Sequence, residues 1–262
     1  MKKILSLIFC LCLVTFSVFS VDAQGSAVSW YCIRKKDHSQ PQLPSELSFV
    51  KNYEVYWCDE KNTSFDSDEK VIYLTFDAGY ENGNIEKIVN ILKEENVKAS
   101  FFILDNMILK NETLVKRMID DGHIVANHTL KHKDLTKLES IEDVSKELGD
   151  LEKLFESTYR VKMPKLYRPP EGKLSERSVK WAQELGYKAV MWSFAYADWD
   201  NGKQPCRQYA MNKILENIHN GEVMLLHPTS STNAEIMKDL IRELKAKGFR
   251  FATVEELCKE EA

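Results

Sequence analysis

The chain has 262 residues, of which 44% are hydrophobic and 29% charged, enough apolar material for one sizeable core and too much for a disordered chain. Its formal net charge of −4 gives no broad basic field, so gripping nucleic acid or coating an anionic membrane is excluded as its main task.

At the amino terminus Lys2 and Lys3 precede an apolar run from Ile4 to Val18, and Val21-Asp22-Ala23 offers small residues for cleavage. This predicts a secretory signal peptide over residues 1–23, the run being a little short for a membrane span, with an uncleaved anchor as the alternative. Both readings place the chain outside the cytoplasmic membrane, secreted or held in the cell envelope. No second long apolar stretch follows, which argues against an integral multi-span membrane protein.

Residues 24–69 are polar and irregular, with Gln40-Pro41-Gln42-Leu43-Pro44 and scattered aromatics, Trp30, Tyr31, Tyr53, Tyr56 and Trp57. They read as an N-terminal extension wrapping the domain, the aromatics docking on the core or lining a substrate groove. Cys10 and Cys12 fall in the leader, leaving Cys32, Cys58, Cys206 and Cys258. Their spacing fits no Cys-x-x-Cys metal or redox pattern, so they are disulfides or free thiols, Cys32 with Cys58 being the favoured pair.

From residue 70 to 262 strands and helices alternate. Apolar runs at Val71 to Phe76, Ala99 to Leu104, His123 to Asn127, Lys188 to Trp192, Glu222 to Leu226 and Phe249 to Thr253 predict buried strands. Helical faces are predicted at Ile85, Ile88, Val89 and Leu92, at Val144, Leu148, Leu151 and Phe155, and at Ile236, Leu240, Ile241 and Leu244. Gly186 and Gly248 stand where left-handed helix stops belong. Such an order makes an α/β fold with a parallel sheet, closed into a barrel or open and doubly wound.

Asp77, His128, Arg168, Asp198 and His227 all fall at or just beyond predicted strand carboxyl ends, which in a parallel barrel form one face and favour a catalytic mouth there. An unpaired carboxylate ending an apolar strand is costly, so Asp77 is either functional or one half of a structural ion pair with Arg168. His128 and His132, four apart, share a face if they begin a helical turn; such a pair can hold a metal, and its other reading, the commoner for the motif by itself, is a solvated or core-bonded pair. His227 after four apolar residues is a core histidine or an acid–base group. Trp199 is core packing or the wall of an acetyl pocket.

Taken together, Thr75-Phe76-Asp77-Ala78-Gly79, His128-x-x-x-His132, Arg168-Pro169-Pro170-Glu171-Gly172, Asp198-Trp199 and Leu225-Leu226-His227 resemble, in order and spacing, the polysaccharide deacetylase family, also called the NodB-homology domain or carbohydrate esterase family four. The resemblance implies a distorted, incomplete (β/α) barrel and a hydrolase of carbon–nitrogen bonds other than peptide bonds. Thr75 to Gly83, Trp192-Ser193 with Ala195 to Trp199, and the run from His227 to Asn233-Ala234-Glu235 look most like the delta-lactam-biosynthetic de-N-acetylases. That subgroup acts on N-acetylmuramic acid of spore cortex peptidoglycan, in sporulation and germination, on glycan stripped by a partner muramoyl amidase.

Carried over residue by residue, the resemblance makes Asp77 the general base, fixed and kept ionised by Arg168, and His227 the general acid, held charged by Asp198. His128 and His132 would bind a divalent metal ion, zinc or another first-row ion. The N–H of Glu171 would meet the oxyanion, and Trp199 and Tyr80 would contact substrate. The carboxylate that in many members follows the base and completes the metal triad is here Ala78, which cannot ligate. The subgroup generally shares that change. Rival readings are de-N-acetylation of N-acetylglucosamine in wall peptidoglycan, an O-acetyl esterase acting on xylan, and a non-catalytic carbohydrate-binding relative.

Overall fold

A computed structural model of the protein describes residues 26–259; the expected leader lies outside the described residues. The apolar runs become strands because each needs burial on both faces, and the periodic segments become the helices that cover them. In chain order these are β1 (Val28–Ser29), β2 (Val55–Tyr56), β3 (Lys70–Ala78), α1 (Asn84–Glu94), β4 (Ser100–Ile103), α2 (Asp105–Lys110) and α3 (Glu112–Asp120). There follow β5 (Ile124–Asn127), α4 (Ile141–Tyr159), β6 (Leu166–Tyr167), β7 (Lys173–Leu174), α5 (Glu176–Glu184) and β8 (Lys188–Val190). The chain ends with α6 (Arg207–Leu215), β9 (Glu222–Leu226), α7 (Ser231–Ala246), β10 (Phe249–Ala252) and α8 (Val254–Leu257).

The main sheet runs β10-β3-β4-β5-β6-β8-β2, with β9 also on β3, and its ladders are parallel. β3 is the hub: Lys70 to Tyr73 pair with β10, Thr75 to Ala78 with β4, and Ile72 to Phe76 with β9. Between β9 and the segment after β8 the pairing is reduced to an isolated bridge, Phe194 to Met224, with Ser193 also bonded to Val223. The sheet is therefore a curled half-barrel of the distorted, incomplete kind.

Side-chain alternation along β3 sorts its residues onto two faces. Ile72, Leu74, Phe76 and Ala78 point outward into the large cluster beneath α1 and α7. Val71 and Tyr73 point inward with Phe102, Ala126, Val190 and Val223, and the same alternation places Thr75 and Asp77 on that inner face. Gly186 and Gly248 adopt φ of 83° and 85°, the left-handed stops that end α5 and α7 before β8 and β10.

The segment before β3 packs along one side. β1 pairs antiparallel with β7, and Trp30, Leu47, Val50 and Trp57 bury themselves with Leu174, Val179 and Met191. Trp30 and Trp57 thus dock on the body of the protein, whereas Tyr31 stays 47% exposed. The expected Cys32–Cys58 disulfide is corrected: Cys32, Cys58, Cys206 and Cys258 are free thiols. The two sulfurs turn to different acceptors, Cys32 to the Trp192 carbonyl at 3.4 Å and Cys58 to Gln40 Oε1 at 3.6 Å. Burial raises both thiols, Cys32 to about 12. Among the described residues no helix is long and apolar enough to cross a membrane.

Candidate active site

Asp77 stands near the carboxyl end of β3, opposite Phe102 of β4 in register, so an inward carboxylate meets the barrel mouth where apolar layers stop. Beneath it lies Arg168, fully buried, delivered by the two-residue strand β6. Its guanidinium donates from Nη1 to Asp77 Oδ1 at 2.8 Å, from Nη2 to Thr75 Oγ1 at 2.9 Å and the Met191 carbonyl at 3.2 Å, and from Nε to the Val190 carbonyl at 2.9 Å. The Phe102 ring lies 4.1 Å from its carbon centre. A buried cation with its donors so engaged is held in one geometry. Burial by itself raises Asp77, but the Arg168 charge, followed by His128 and His227, outweighs it and holds the carboxyl below its ordinary range.

On one flank of Asp77 sits His128. Its Nδ1–H donates to the Arg168 carbonyl at 2.9 Å, since a carbonyl can only accept, which leaves Nε2 3.7 Å from Asp77 Oδ2. Burial pushes this imidazole down to about 4, the neutral form a metal requires. The His132 ring lies edge-on with its centroid 5.0 Å away. The expected helical turn is not what joins them. Thr129 and His132 take positive φ of 68° and 59°, so a loop with two left-handed residues folds the second imidazole back, held where Thr129 N–H donates to Asn127 Oδ1.

His227, just past β9, faces Asp77 across the cavity. Its Nδ1–H donates to Asp198 Oδ1 at 2.7 Å and its backbone N–H to Asp198 Oδ2 at 2.8 Å. Asn233 Nδ2 donates to the same Oδ2 at 2.6 Å and to the His227 carbonyl at 3.0 Å, and Tyr196 O–H donates to Asn233 Oδ1. Burial disfavours a charged ring at His227, yet the Asp198 carboxylate outweighs burial and raises it above the ordinary imidazole value. Nε2 remains for the cavity.

The hollow so formed holds about 600 Å³, walled by Asp77, His128, His132, Glu171, Trp199 and His227, with Trp192, Tyr196 and Leu225 among the apolar lining. Trp199 is 62% exposed and its ring centroid lies 6.2 Å from that of His227. Pro169 and Pro170 have no N–H, so Glu171, at φ 55°, offers the first backbone donor after Arg168, while the next, the Gly172 N–H, is given to the Pro169 carbonyl at 3.1 Å. Its side chain turns away to an ion pair with Lys173. Tyr80 is the exception among the expected contacts. It is not part of this cavity wall; its O–H accepts from Asn201 Nδ2 on the exposed surface.

His128 and His132 fit a metal as imidazole donors, because a backbone acceptor on Nδ1 fixes the first ring with Nε2 directed inward, as ligating histidines require. Among the described residues no three His, Cys, Asp or Glu side chains gather into a cage. The position after the base, where the resemblance places a third ligand, holds Ala78, which has no donor atom and is fully buried among apolar neighbours.

Sequence reasoning gave no role to Thr75, Tyr196 or Asn233. Thr75 sits two residues before Asp77 and so on its face, a signal alternation alone supplies. Asn233 follows Ser230, the N-cap whose Oγ accepts from the Asn233 N–H, a spacing that places its side chain at the opening turn of α7, beside the strand end.

A profile of the polysaccharide deacetylase family matches residues 65–190. The peptidoglycan-N-acetylmuramic acid deacetylase PdaA of Bacillus subtilis is 36% identical over 239 residues, 89% of this chain and 86% of that protein. A peptidoglycan-N-acetylglucosamine deacetylase of Bacillus cereus is 32% identical over 198 residues, 74% of this chain and 90% of that protein. The structure of Bacillus subtilis PdaA, a family 4 carbohydrate esterase, superposes with a TM-score of 0.81 at 33% identity, covering 88% of this chain and 96% of that one. The chain belongs to the polysaccharide deacetylase family.

Proposed function

We propose that this protein removes the acetyl group from N-acetylmuramic acid of peptidoglycan, opening the way to muramic delta-lactam in the spore cortex. The observation that carries the reading is one cavity walled by two oppositely supported groups: Asp77 bonded to the buried Arg168 guanidinium at 2.8 Å, which lowers its pKa, and His227 bonded to the Asp198 carboxylate at 2.7 Å, which raises its own. The likeness to PdaA over most of both chains supports muramic acid as the sugar. The Bacillus cereus relative favours N-acetylglucosamine as the second reading.

In this mechanism Asp77 takes a proton from water as its oxygen attacks the acetamide carbon, and the Glu171 N–H donates to the carbonyl oxygen as charge collects there. The carbon–nitrogen bond breaks as His227 gives its Nε2 proton to the leaving amine, and acetate is released. Arg168 positions the base, and Asp198 with Asn233 positions the acid. A divalent first-row ion on His128 and His132 would lower the pKa of water and polarise the carbonyl. Trp199 shields the acetyl end of the cavity.

The same reading makes residues 70–262 the catalytic domain, residues 24–69 a wrapping extension and residues 1–23 a leader, with the enzyme acting outside the cytoplasmic membrane after a muramoyl amidase has stripped the glycan. The test is incubation of the purified mature chain with defined glycan strands, with and without stem peptides, followed by mass analysis of each sugar. Loss of acetyl from muramic residues of stripped strands is expected. Loss from N-acetylglucosamine alone moves the reading to that sugar, release from acetylated xylan alone moves it to an ester, and binding without acetate release makes the protein a non-catalytic relative.

A further inference from the structure

The wall of the catalytic cavity at Trp199 has a second side. A second hollow of about 270 Å³ adjoins it, and Trp192, Ala195, Tyr196 and Trp199 belong to the walls of both. Its far wall comes from the N-terminal segment, chiefly Tyr31 and Arg34. No acidic side chain lines this second hollow, and Arg34 is its one cation.

Arg34 is placed, though exposed. Its Nη2 donates to the Ala195 carbonyl, and its guanidinium lies 5.1 Å from the centroid of the Phe194 ring. Only one of its five N–H donors is occupied in this way. Among the described residues no carboxylate forms an ion pair with it. Burial pushes the Glu222 carboxyl, which feels this charge, well above the ordinary carboxyl value. Trp199 and Tyr31, 62% and 47% exposed, flank the same hollow. Aromatic faces beside an unneutralised guanidinium suit a sugar ring that carries an acid, the ring stacking and the carboxylate taking paired N–H donors.

We propose that this hollow is a subsite for a carboxylate-bearing sugar of the glycan strand, recognised by Arg34 of the N-terminal segment. The inference rests on the deacetylase reading of the adjoining cavity and adds to it a charge filter. Sugars that carry an acid are retained, and uncharged acetylated sugars are not.

The experiment compares a stripped glycan strand bearing free muramic carboxylates with the same strand after methyl esterification, titrated against the mature protein by its tryptophan fluorescence. Wild type is expected to bind the acid strand about 10-fold more tightly at low salt, with the preference shrinking as salt rises. Arg34→Gln should bind the two strands equally, and Arg34→Lys should keep part of the preference, each with an unchanged near-UV circular dichroism spectrum. Equal binding by wild type, or a preference that survives Arg34→Gln, overturns the proposal. Acetate release by wild type is read in parallel: if none occurs from either strand the deacetylase reading fails, while the binding preference still decides the subsite.

Discussion

Asp77 and Asp198 are both aspartates at the carboxyl end of the sheet, each beside an imidazole, and they differ in what else they touch. Asp77 rests on a fully buried guanidinium, and its nearest imidazole, His128, is driven down to about 4. Asp198 rests on neutral donors, the His227 backbone and Asn233, and its imidazole is raised. At His128 burial wins over the pull of Asp77, which stands 3.7 Å away and makes no hydrogen bond to the ring, whereas Asp198, bonded to the His227 ring at 2.7 Å, outweighs burial there. In the proposed mechanism the same residue pair serves as a base in one half of the site and as the support of an acid in the other.

Breaking either half has the largest expected effect. Asp77→Asn and His227→Ala should each lower deacetylation by about 10²- to 10⁴-fold, the usual worth of a positioned proton-transfer group, measured as acetate release. The halves should then differ in stability. Asp77→Asn leaves the Arg168 charge buried without its counter-ion, a loss on the order of 3–5 kcal/mol for a broken buried pair, whereas His227→Ala leaves the buried Asp198 carboxylate still held by the backbone N–H of residue 227 and by Asn233, so its loss should be smaller. Denaturant unfolding of the two variants separates them.

Metal removal probes the Asp77 half alone. Two histidine donors without a protein carboxylate should release an ion readily, so dialysis against a chelator is expected to cost most of the activity and zinc or another first-row ion to restore it. Activity that persists in protein shown metal-free by elemental analysis leaves Asp77 activating water unaided. A smaller effect on chemistry, with a larger one on folding, is expected for Ala78→Asp. Its carboxylate would enter the apolar cluster on the outward face of β3, so the melting temperature should fall with no gain in metal affinity. Tighter metal binding by that variant would mean that the strand end turns the side chain inward.

How far the sequence carries this account depends on distance along the chain. Strands with four or more apolar residues, and helices with a full buried face such as Ile85 to Leu92, follow from local periodicity. β2 and β6 are two residues long and carry no period, yet β6 is what delivers Arg168. Strand-end positions made Asp77, Asp198 and His227 legible, and alternation along β3 could have shown that Ala78 faces away from the site. The loop that folds His132 back needs two left-handed non-glycine residues, which sequence does not announce. The thiols of Cys32 and Cys58 share a cluster, but side-chain direction sends them to different acceptors.

The pH dependence of kcat/KM, in wild type and Asp198→Asn, tests the division of the site most directly. Asp77, held below the ordinary carboxyl value, must be ionised to act, so the rate falls as pH drops through its depressed pKa. His227, raised by Asp198, must be protonated, so the rate falls as pH climbs through its raised pKa. Removing the Asp198 charge should lower the maximum and carry the alkaline limb to lower pH while the acid limb stays in place. An alkaline limb that does not move, or an acid limb that moves instead, would contradict the assignment of base and acid to these two halves.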